Sequence, residues 1–319
     1  MNSKENKGSF MNKLMKLMTS ATFLCGLSLM ALPAQAGTSC PAQYLNGTPP
    51  AVVSPLQDAG AVEVCYPEFA DYVAARTRTP LYAAEHLTEE QVEAARGVSR
   101  KGIQFHPDTH LSSSMQAQLS DYSRSGYDRG HLANWADSAD PDSFTLANIV
   151  PQDPNDNRQL WEGIEETTRA IAENEGEVYV VSGPIYRTTP LTFLKNGGRV
   201  AVPDYLYKAI YVPATGQAGV YIVRNAASFI WRGFSLEDLR RFSGVNAFPA
   251  LPMSIRTSTP HLPMPNMRGQ VVPESADLPA YTATPFAGSD SKDDPAFKIS
   301  PAVKGEHVAA TLRHIFRHF

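Results

Sequence analysis

A group of polar residues between positions 128 and 157 has the side chains needed to cleave a phosphodiester bond. Asp128-Arg129-Gly130-His131 is followed downstream by Asn157. A histidine can remove a proton from water, because its ordinary pKa of about 6.5 leaves it mostly neutral at physiological pH. An asparagine carbonyl is a hard oxygen ligand suited to Mg²⁺, and the forked arginine guanidinium matches phosphate oxygens. These residues predict metal-assisted hydrolysis of nucleic acid.

The same residues resemble the signature of the DNA/RNA non-specific endonucleases, a family with the ββα-metal fold. Four further stretches resemble family landmarks and occur in family order, at residues 78–88, 105–108, 121–126 and 181–185. The resemblance extends over about residues 66–252. It implies an α+β fold with a mostly antiparallel central sheet and flanking helices, and substrates that are both DNA and RNA.

The resemblance also implies a role for each polar residue of the motif. His131 is the expected general base, and Asn157 is the expected ligand of Mg²⁺, for which Mn²⁺ can substitute. Arg129 is expected to contact the phosphate. Glu165 is expected to hold waters in the outer shell of the ion, and Asn148 to support the metal site.

Two of these assignments have competitors nearby in the sequence. Asparagine near a helix start is often an N-cap, and Asn155 is a neighbouring candidate for that cap. Asn157 is preferred as the ligand, because its offset to the following tryptophan matches the N-x-x-x-W pattern of the family. Glu162 and Glu166 remain alternatives to Glu165.

A second phosphate-binding arginine is expected upstream of the motif. Arg100 is the candidate for this contact. Its spacing to Phe105 departs from that of the relatives, so Arg96 and Lys101 remain alternatives.

The remaining residues of the motif have expected structural roles. Asp128 is expected to orient its neighbours, and Gly130 to permit a close approach of the backbone. Directly after the motif many relatives continue with Leu-Ala-Pro, whereas this chain has Leu132-Ala133-Asn134-Trp135. Trp135 could stack on a base, but a core position is favoured because tryptophan buries a large apolar area.

The N-terminus has the pattern of a Sec-type signal peptide. Two lysines, Lys13 and Lys16, precede an apolar stretch at residues 21–32, and Ala34-Gln35-Ala36 is a small-residue cleavage site. A retained membrane anchor is the alternative, but the apolar stretch is shorter than the ~20 residues that a span requires. We therefore expect cleavage after Ala36, a periplasmic or secreted product, and no stable membrane span after processing.

The overall charge argues against a broad electrostatic grip on nucleic acid. The whole chain has a formal net charge of -4. Removing residues 1–36 removes four lysines and one glutamate, which leaves about -7. Because nucleic-acid binding normally uses a basic patch, positive charge is expected to be local to a cleft. The sequence does not predict an oligomeric state.

Two cysteines remain after removal of the signal peptide. Cys40 and Cys65 form an even pair in an exported chain, which predicts a disulfide. The pair lacks the C-x-x-C spacing of a zinc site. The disulfide is expected to tie an N-terminal arm, residues 37–65, to the endonuclease domain at 66–252.

Apolar periodicity and capping signals predict the main elements of that domain. Residues 155–175 are predicted to form the main helix, and Gly176 to end it. Shorter helices are predicted from Thr88 through Ala95 and from Ser235 to near Gly244. Strands are predicted at 178–181, 199–202, 207–212 and 219–223, and the family resemblance implies a further strand at 127–132.

Beyond the domain, residues 253–319 are predicted to form a Pro-rich linker and a C-terminal amphipathic segment. That segment could dock on the domain, lie on a membrane or touch nucleic acid, and docking is favoured. Two other functions also remain open for the whole chain. One is a catalytically silent nucleic-acid-binding module, and the other is a metal phosphoesterase that acts on smaller substrates.

Overall fold

The computed structural model describes residues 38–53, 60–275 and 278. The expected signal peptide and the C-terminal amphipathic segment lie outside the described residues. Every helix in the described ranges is too short or too polar to cross a lipid bilayer. The strands are β1 Ala51–Val52, β2 Val62–Cys65, β3 Phe69–Ala74, β4 Thr79–Thr88, β5 Asp128–His131, β6 Ile149–Gln152, β7 Glu177–Ile185, β8 Tyr205–Val212, β9 Gln217–Arg224, β10 Trp231–Phe234, β11 Val245–Asn246, β12 Asn266–Met267 and β13 Gln270–Val271.

The helices of the described residues are short apart from one. The α-helices are α1 Glu89–Ala95, α2 Leu119–Tyr122, α3 Trp135–Ser138, α4 Glu162–Glu175, α5 Leu236–Ser243 and α6 Met253–Arg256. A π-helical turn, Asp156–Trp161, runs directly into α4. Single 3₁₀ turns occur at Pro41–Gln43, Leu45–Gly47, Pro141–Phe144 and Leu146–Asn148.

The framework is a seven-stranded antiparallel sheet in the order β10-β9-β8-β7-β4-β3-β2. Successive residues of a strand point to opposite faces, and in this sheet both faces are buried. Val180 of β7 packs in one core with Ile164 of α4. Val181 packs in a second core with Leu239 of α5. The sequence-based prediction of an α+β fold with a mostly antiparallel sheet is confirmed.

Most of the predicted elements are present with slightly different ends. The main helix begins as the π-helical turn rather than as an α-helix, and Gly176 ends it with a positive φ of 87°. The predicted helix after Thr88 is present and begins with a capping box, in which Thr88 and Gln91 bond reciprocally. At the predicted capping box of the later helix, the Ser235 side chain accepts from the Asp238 N–H. The predicted strands 127–132, 178–181, 207–212 and 219–223 correspond to β5, β7, β8 and β9.

The predicted strand at 199–202 is wrong. This segment makes one isolated bridge, between Ala201 and Phe193, within an irregular loop. It follows two glycines with positive φ, Gly197 and Gly198. It is followed by Pro203, which has no N–H to donate to a ladder. Regular pairing therefore cannot extend in either direction.

The N-terminal arm ends in strand β2, the edge strand of the sheet, and its first residues are attached to β2 covalently and by hydrogen bonds. Cys40 and Cys65 form the predicted disulfide, with their Cα atoms 5.5 Å apart. The sulfurs are therefore bonded to each other rather than free as zinc ligands. Glu63 of β2 also accepts hydrogen bonds from the hydroxyls of Thr38 at 2.7 Å and Tyr44 at 2.9 Å.

Residues 260–275, called the strap below, lie across the face of the sheet that carries α4. The hydroxyl of Tyr221 donates to the Pro263 carbonyl at 2.6 Å, and the indole of Trp231 donates to the Val272 carbonyl at 3.2 Å. The sequence predicts a linker from residue 253, and the strap differs because its apolar side chains pack against the core. These side chains are Leu262, Met264, Met267 and Val272.

The strap also touches helix α4 through a glycine. A Cβ added to Gly163 would lie 2.8 Å from the carbonyl oxygen of Asn266 in the strap. Real Cβ atoms do not approach backbone oxygens so closely, so the strap can pack here only because residue 163 has no side chain. The strap thereby braces the first turn of the helix that follows Asn157.

We predict that Gly163→Val lowers the free energy of unfolding by roughly 1–3 kcal/mol, the usual cost of overpacking. Glu166→Val is the matched control, because it places the same residue on an exposed position of the same helix. Urea denaturation of both variants measures the difference. Equal stability of the two variants would show that the strap does not constrain residue 163.

Candidate active site

The β5–β6 hairpin positions the DRGH motif. Its register pairs Asp128 with Gln152 and His131 with Ile149. The side chain of Gln152 packs directly against the backbone of Gly130. A Cβ at position 130 would lie 2.8 Å from the Gln152 Cβ, so this packing requires a glycine. The Gln152 amide then donates to Asp156 at 2.8 Å. The expected close approach at Gly130 therefore connects the hairpin to the π-helical turn.

His131 lies in an aromatic and cationic environment. Its ring centroid is 5.3 Å from that of Phe105 and 5.1 Å from that of Phe144. Its Nε2 is buried and has no hydrogen-bond partner within the described residues. Burial, together with the positive charges of Arg100 and Arg129, lowers the pKa of His131 to about 4. The imidazole is therefore neutral at physiological pH, which is the state that a general base requires.

The side chain of Asn157 is oriented by Asp128. Its Nδ2 donates to Asp128 Oδ2 at 3.0 Å. Because an ionised carboxylate only accepts hydrogen bonds, the amide nitrogen must face Asp128 and Oδ1 must face away. Within the described part of the chain, Oδ1 has no hydrogen-bond donor, so it is available to a cation. Asp128 thus orients its neighbour, as the sequence suggests.

The N-cap alternative for Asn157 does not agree with the observed hydrogen bonds. The first turn is capped by Asp153, whose Oδ1 accepts from the backbone N–H of Asn155 at 2.8 Å and of Asp156 at 3.4 Å. Asn155 is exposed and makes no side-chain capping bond. The amide of Asn157 is therefore free from capping.

Two arginines without carboxylate partners in the described structure lie near His131. The guanidinium of Arg129 stacks over the Phe105 ring, 4.4 Å from its centroid, and Arg100 is close enough to lower the pKa of His131. The alternative Arg96 instead forms an ion pair with Glu173. The geometry therefore agrees better with Arg100 than with Arg96 as a phosphate contact.

Glu165 is the one of three candidate glutamates that faces the interior. It is 4% exposed, whereas Glu162 and Glu166 lie at the surface. Its Oε2 accepts from the Asn134 Nδ2 at 2.5 Å, and its Oε1 is buried without a partner in the described residues. Burial raises the pKa of Glu165 to about 7, and the positive charge of Lys208 opposes this shift.

Lys208 was not recognisable as part of the site by its spacing. It lies in the middle of β8 and is fully buried. Its Nζ donates to Ser182 Oγ at 2.8 Å and approaches the Leu132 carbonyl at 3.5 Å. It also lies 5.4 Å from the centre of the Trp161 ring. The only sequence signal for it is a lysine within an apolar strand, which demands a polar partner.

Asn148 supports the loop after His131 and cannot act as a direct ligand in this arrangement. It is fully buried. Its Oδ1 accepts from the Ala133 N–H at 2.9 Å, and its Nδ2 donates to the carbonyls of Ala133 at 2.8 Å and Ser143 at 2.9 Å. Trp135 is 9% exposed, and its indole N–H donates to the Val98 carbonyl at 3.3 Å. It therefore occupies the core position that the sequence favours over a base-stacking position.

The hairpin, the π-helical turn and α4 together define the ββα-metal nuclease fold. The sequence profile of the DNA/RNA non-specific endonucleases matches residues 48–254. A crystal structure of the EndoG/EndoGI complex is similar, with a TM-score of 0.56 and 26% identity over 60% of this chain and 88% of that chain. The chain belongs to the DNA/RNA non-specific endonuclease family.

Individual relatives are similar over part of their length. Nuclease C1 of Cunninghamella echinulata var. echinulata is 32% identical over 200 residues, which are 56% of this chain and 79% of the relative. The mitochondrial nuclease EXOG of Homo sapiens is 32% identical over 219 residues, which are 59% of this chain and 57% of the relative. The chain thus spans little more than half of the length of this mitochondrial relative.

The low pKa of His131 predicts a specific dependence of stability on pH. The unfolded state takes up a proton at about pH 6.5, whereas the folded state resists protonation down to about pH 4. Relative to His131→Asn, the wild type should therefore lose stability as the pH falls from about 6.5 to 4, by up to about 3 kcal/mol. Urea denaturation at several pH values measures this difference.

Two buried carboxyl groups make stability depend on pH in the opposite direction. Their effect cancels when the wild type is compared with His131→Asn, because both proteins contain them. Burial raises the pKa of Glu165 and of Asp156 to about 7. The contribution of both groups to the free energy of unfolding therefore falls as the pH rises, in the wild type and in the variant alike. A difference between the two proteins that stays constant over the acid range would contradict the lowered pKa of His131.

Proposed function

We propose that the protein is an exported, Mg²⁺-dependent endonuclease that hydrolyses DNA and RNA without base specificity. One arrangement carries this proposal. A neutral His131 lies beside two arginines that have no carboxylate partner in the described residues, and the Oδ1 of Asn157 faces away from Asp128, to which its Nδ2 is bonded. Membership of the endonuclease family supports the same reaction class.

The arginines are suited to bind the scissile phosphate. Arg100 and Arg129 have no carboxylate to neutralise them in the described structure, so each can offer its forked donors to phosphate oxygens. Contacts to phosphate and sugar carry no direct information about the base. A site built from such contacts accepts DNA and RNA of any sequence.

His131 is suited to accept a proton from the attacking water. Its low pKa keeps the imidazole neutral, with one ring nitrogen unprotonated, although a base of such low pKa is weak. Part of the lowering comes from Arg100 and Arg129. A bound phosphate would offset their charges and raise the pKa of His131 toward its ordinary value. The base thus becomes stronger when the substrate is in place.

The oxygen atoms on the helix side of the site fit Mg²⁺, which takes only one or two ligands from a protein and keeps several waters. Asn157 would hold the ion through its free Oδ1, and the unpartnered Oε1 of Glu165 would hold its hydration shell. When bound, Mg²⁺ supplies positive charge for the pentacovalent phosphate and the leaving 3′-oxygen. The family resemblance implies products with 5′-phosphate ends. Mn²⁺ has the same preference for oxygen ligands.

Export is supported by two features of the chain. Residues 1–36 have the pattern of a signal peptide. Cys40 and Cys65 form a disulfide, and disulfides persist in oxidising compartments such as the periplasm and the extracellular space.

We predict that the purified protein digests plasmid DNA and total RNA with Mg²⁺ and that EDTA abolishes both activities. Asn157→Ala should lower the rate by at least about 100-fold, because removing a direct ligand should cost at least as much as removing an outer-shell partner, which costs about 10–100-fold. Asn155→Ala is the matched control, because this exposed asparagine lies two residues away on the same turn. A well-folded wild type that digests neither polymer would favour a silent binding module. Hydrolysis of bis-p-nitrophenyl phosphate without digestion would favour a smaller substrate.

His131→Ala should lower the cleavage rate by roughly 10²–10⁴-fold, the usual contribution of a general base. The fold should persist, because the backbone carbonyl that accepts from Trp161 remains in the variant. Gel assays measure the rate, and circular dichroism checks the fold. Full activity of a folded His131→Ala protein would refute the assignment of the base.

A further inference from the structure

We propose that Asn134 is a positioning residue for the metal-binding half of the site. Its side-chain amide holds one oxygen of the Glu165 carboxylate, so that the other oxygen is presented to the hydration shell of the ion. The inference rests on the proposed function and names a residue at which this chain departs from the Leu-Ala-Pro of many relatives.

The amide of Asn134 is held at both ends. Its Oδ1 accepts from the backbone N–H of Ala136 at 2.8 Å and so caps helix α3. Its Nδ2 donates to Glu165 Oε2 at 2.5 Å. Because the backbone N–H only donates and the carboxylate accepts, the amide has a single orientation. The backbone N–H of Asn134 also donates to Asp137 Oδ2 at 3.3 Å.

Among the described residues, Asn134 is the one side-chain donor to Glu165. Its Oε1 is buried and has no partner in the described residues. A buried carboxylate oxygen without a donor costs free energy, so this atom is suited to receive a hydrogen bond from a water of the ion. The nearby Arg169 is engaged by Asp137 at 2.8 Å. Arg169 makes no hydrogen bond to Glu165 within the described residues.

Asn134 also connects the two halves of the site. It follows His131 by three residues, in the loop that Asn148 holds from the other side through Ala133. Its bond to Glu165 reaches across to helix α4, which continues the turn that carries Asn157. A proline at position 134 would have no side-chain donor for this connection.

The test compares Asn134→Ser and Asn134→Asp, alone and combined with Glu165→Gln. Serine and aspartate both preserve the N-cap of α3, so the structural role is retained. Serine is too short to donate to Glu165, and aspartate replaces the donor with a negative charge. Mn²⁺ is the probe, and its affinity is measured by electron paramagnetic resonance and by calorimetry. Thermal melting without metal checks that each variant folds.

We expect Asn134→Ser to weaken Mn²⁺ binding by roughly 10-fold, as for other residues that orient metal ligands. Asn134→Asp should weaken it further, because its carboxylate repels that of Glu165. In the Glu165→Gln background, Asn134→Ser should have little further effect, because residues in contact are not additive. This lack of additivity would not arise if Asn134 only capped the helix.

Two results would overturn the inference alone, with the proposed function intact. One is a wild type that digests nucleic acid and an Asn134→Ser variant that binds Mn²⁺ equally well. The other is an equal loss of affinity from Asn134→Ser with and without Glu165→Gln, since the residue would then act elsewhere. A wild type that neither binds Mn²⁺ nor digests nucleic acid overturns both the inference and the proposed function.

Discussion

The candidate site depends on the contact between the π-helical turn Asp156–Trp161 and strand β5. The Asp128 carboxylate accepts from the Asn157 amide at 3.0 Å, and the indole of Trp161 donates to the His131 carbonyl at 3.3 Å. The first bond decides which atom of Asn157 is free, and the second holds the histidine strand. Because the same turn makes both bonds, a shift of either element would displace the base and the ligand together. π-Helical turns are rare in proteins, and those that occur are often found at functional sites.

Local charge differs from the overall charge of the chain. The protein is acidic, with a net charge of -4, yet His131 lies near two positive charges, those of Arg100 and Arg129, which add to burial in lowering its pKa. Part of the acidity is placed in the interior, where burial raises the pKa values of Glu165 and Glu85. Lys208 lies among these carboxyl groups and lowers the cost of burying them. The chain is acidic overall, yet within the described residues Arg100 and Arg129 have no carboxylate partner.

The sequence predicted the elements whose patterns are local and missed those that depend on neighbours. Strands β7, β8 and β9 are apolar runs of β-branched and aromatic residues and were found. Strand β4 was not, because its burial on both faces leaves no alternation and Pro80 lies within it. The segment 199–202 has the composition of a strand, but its neighbours prevent pairing. The strap, 260–275, has the composition of a linker, yet its few apolar residues meet a core that the sequence does not reveal.

The sequence by itself determined which chemical groups are present, the order of the motifs and the type of most elements. Only the tertiary structure decided which atom of the Asn157 amide is free and which of the three glutamates is buried. The same is true of the bonds from Asn134 to Glu165 and from Lys208 to Leu132, which span 31 and 76 residues. Periodicity and spacing report contacts within one helix or strand. Bonds between distant segments arise only when packing brings those segments together, and the functional orientation of each side chain depends on such bonds.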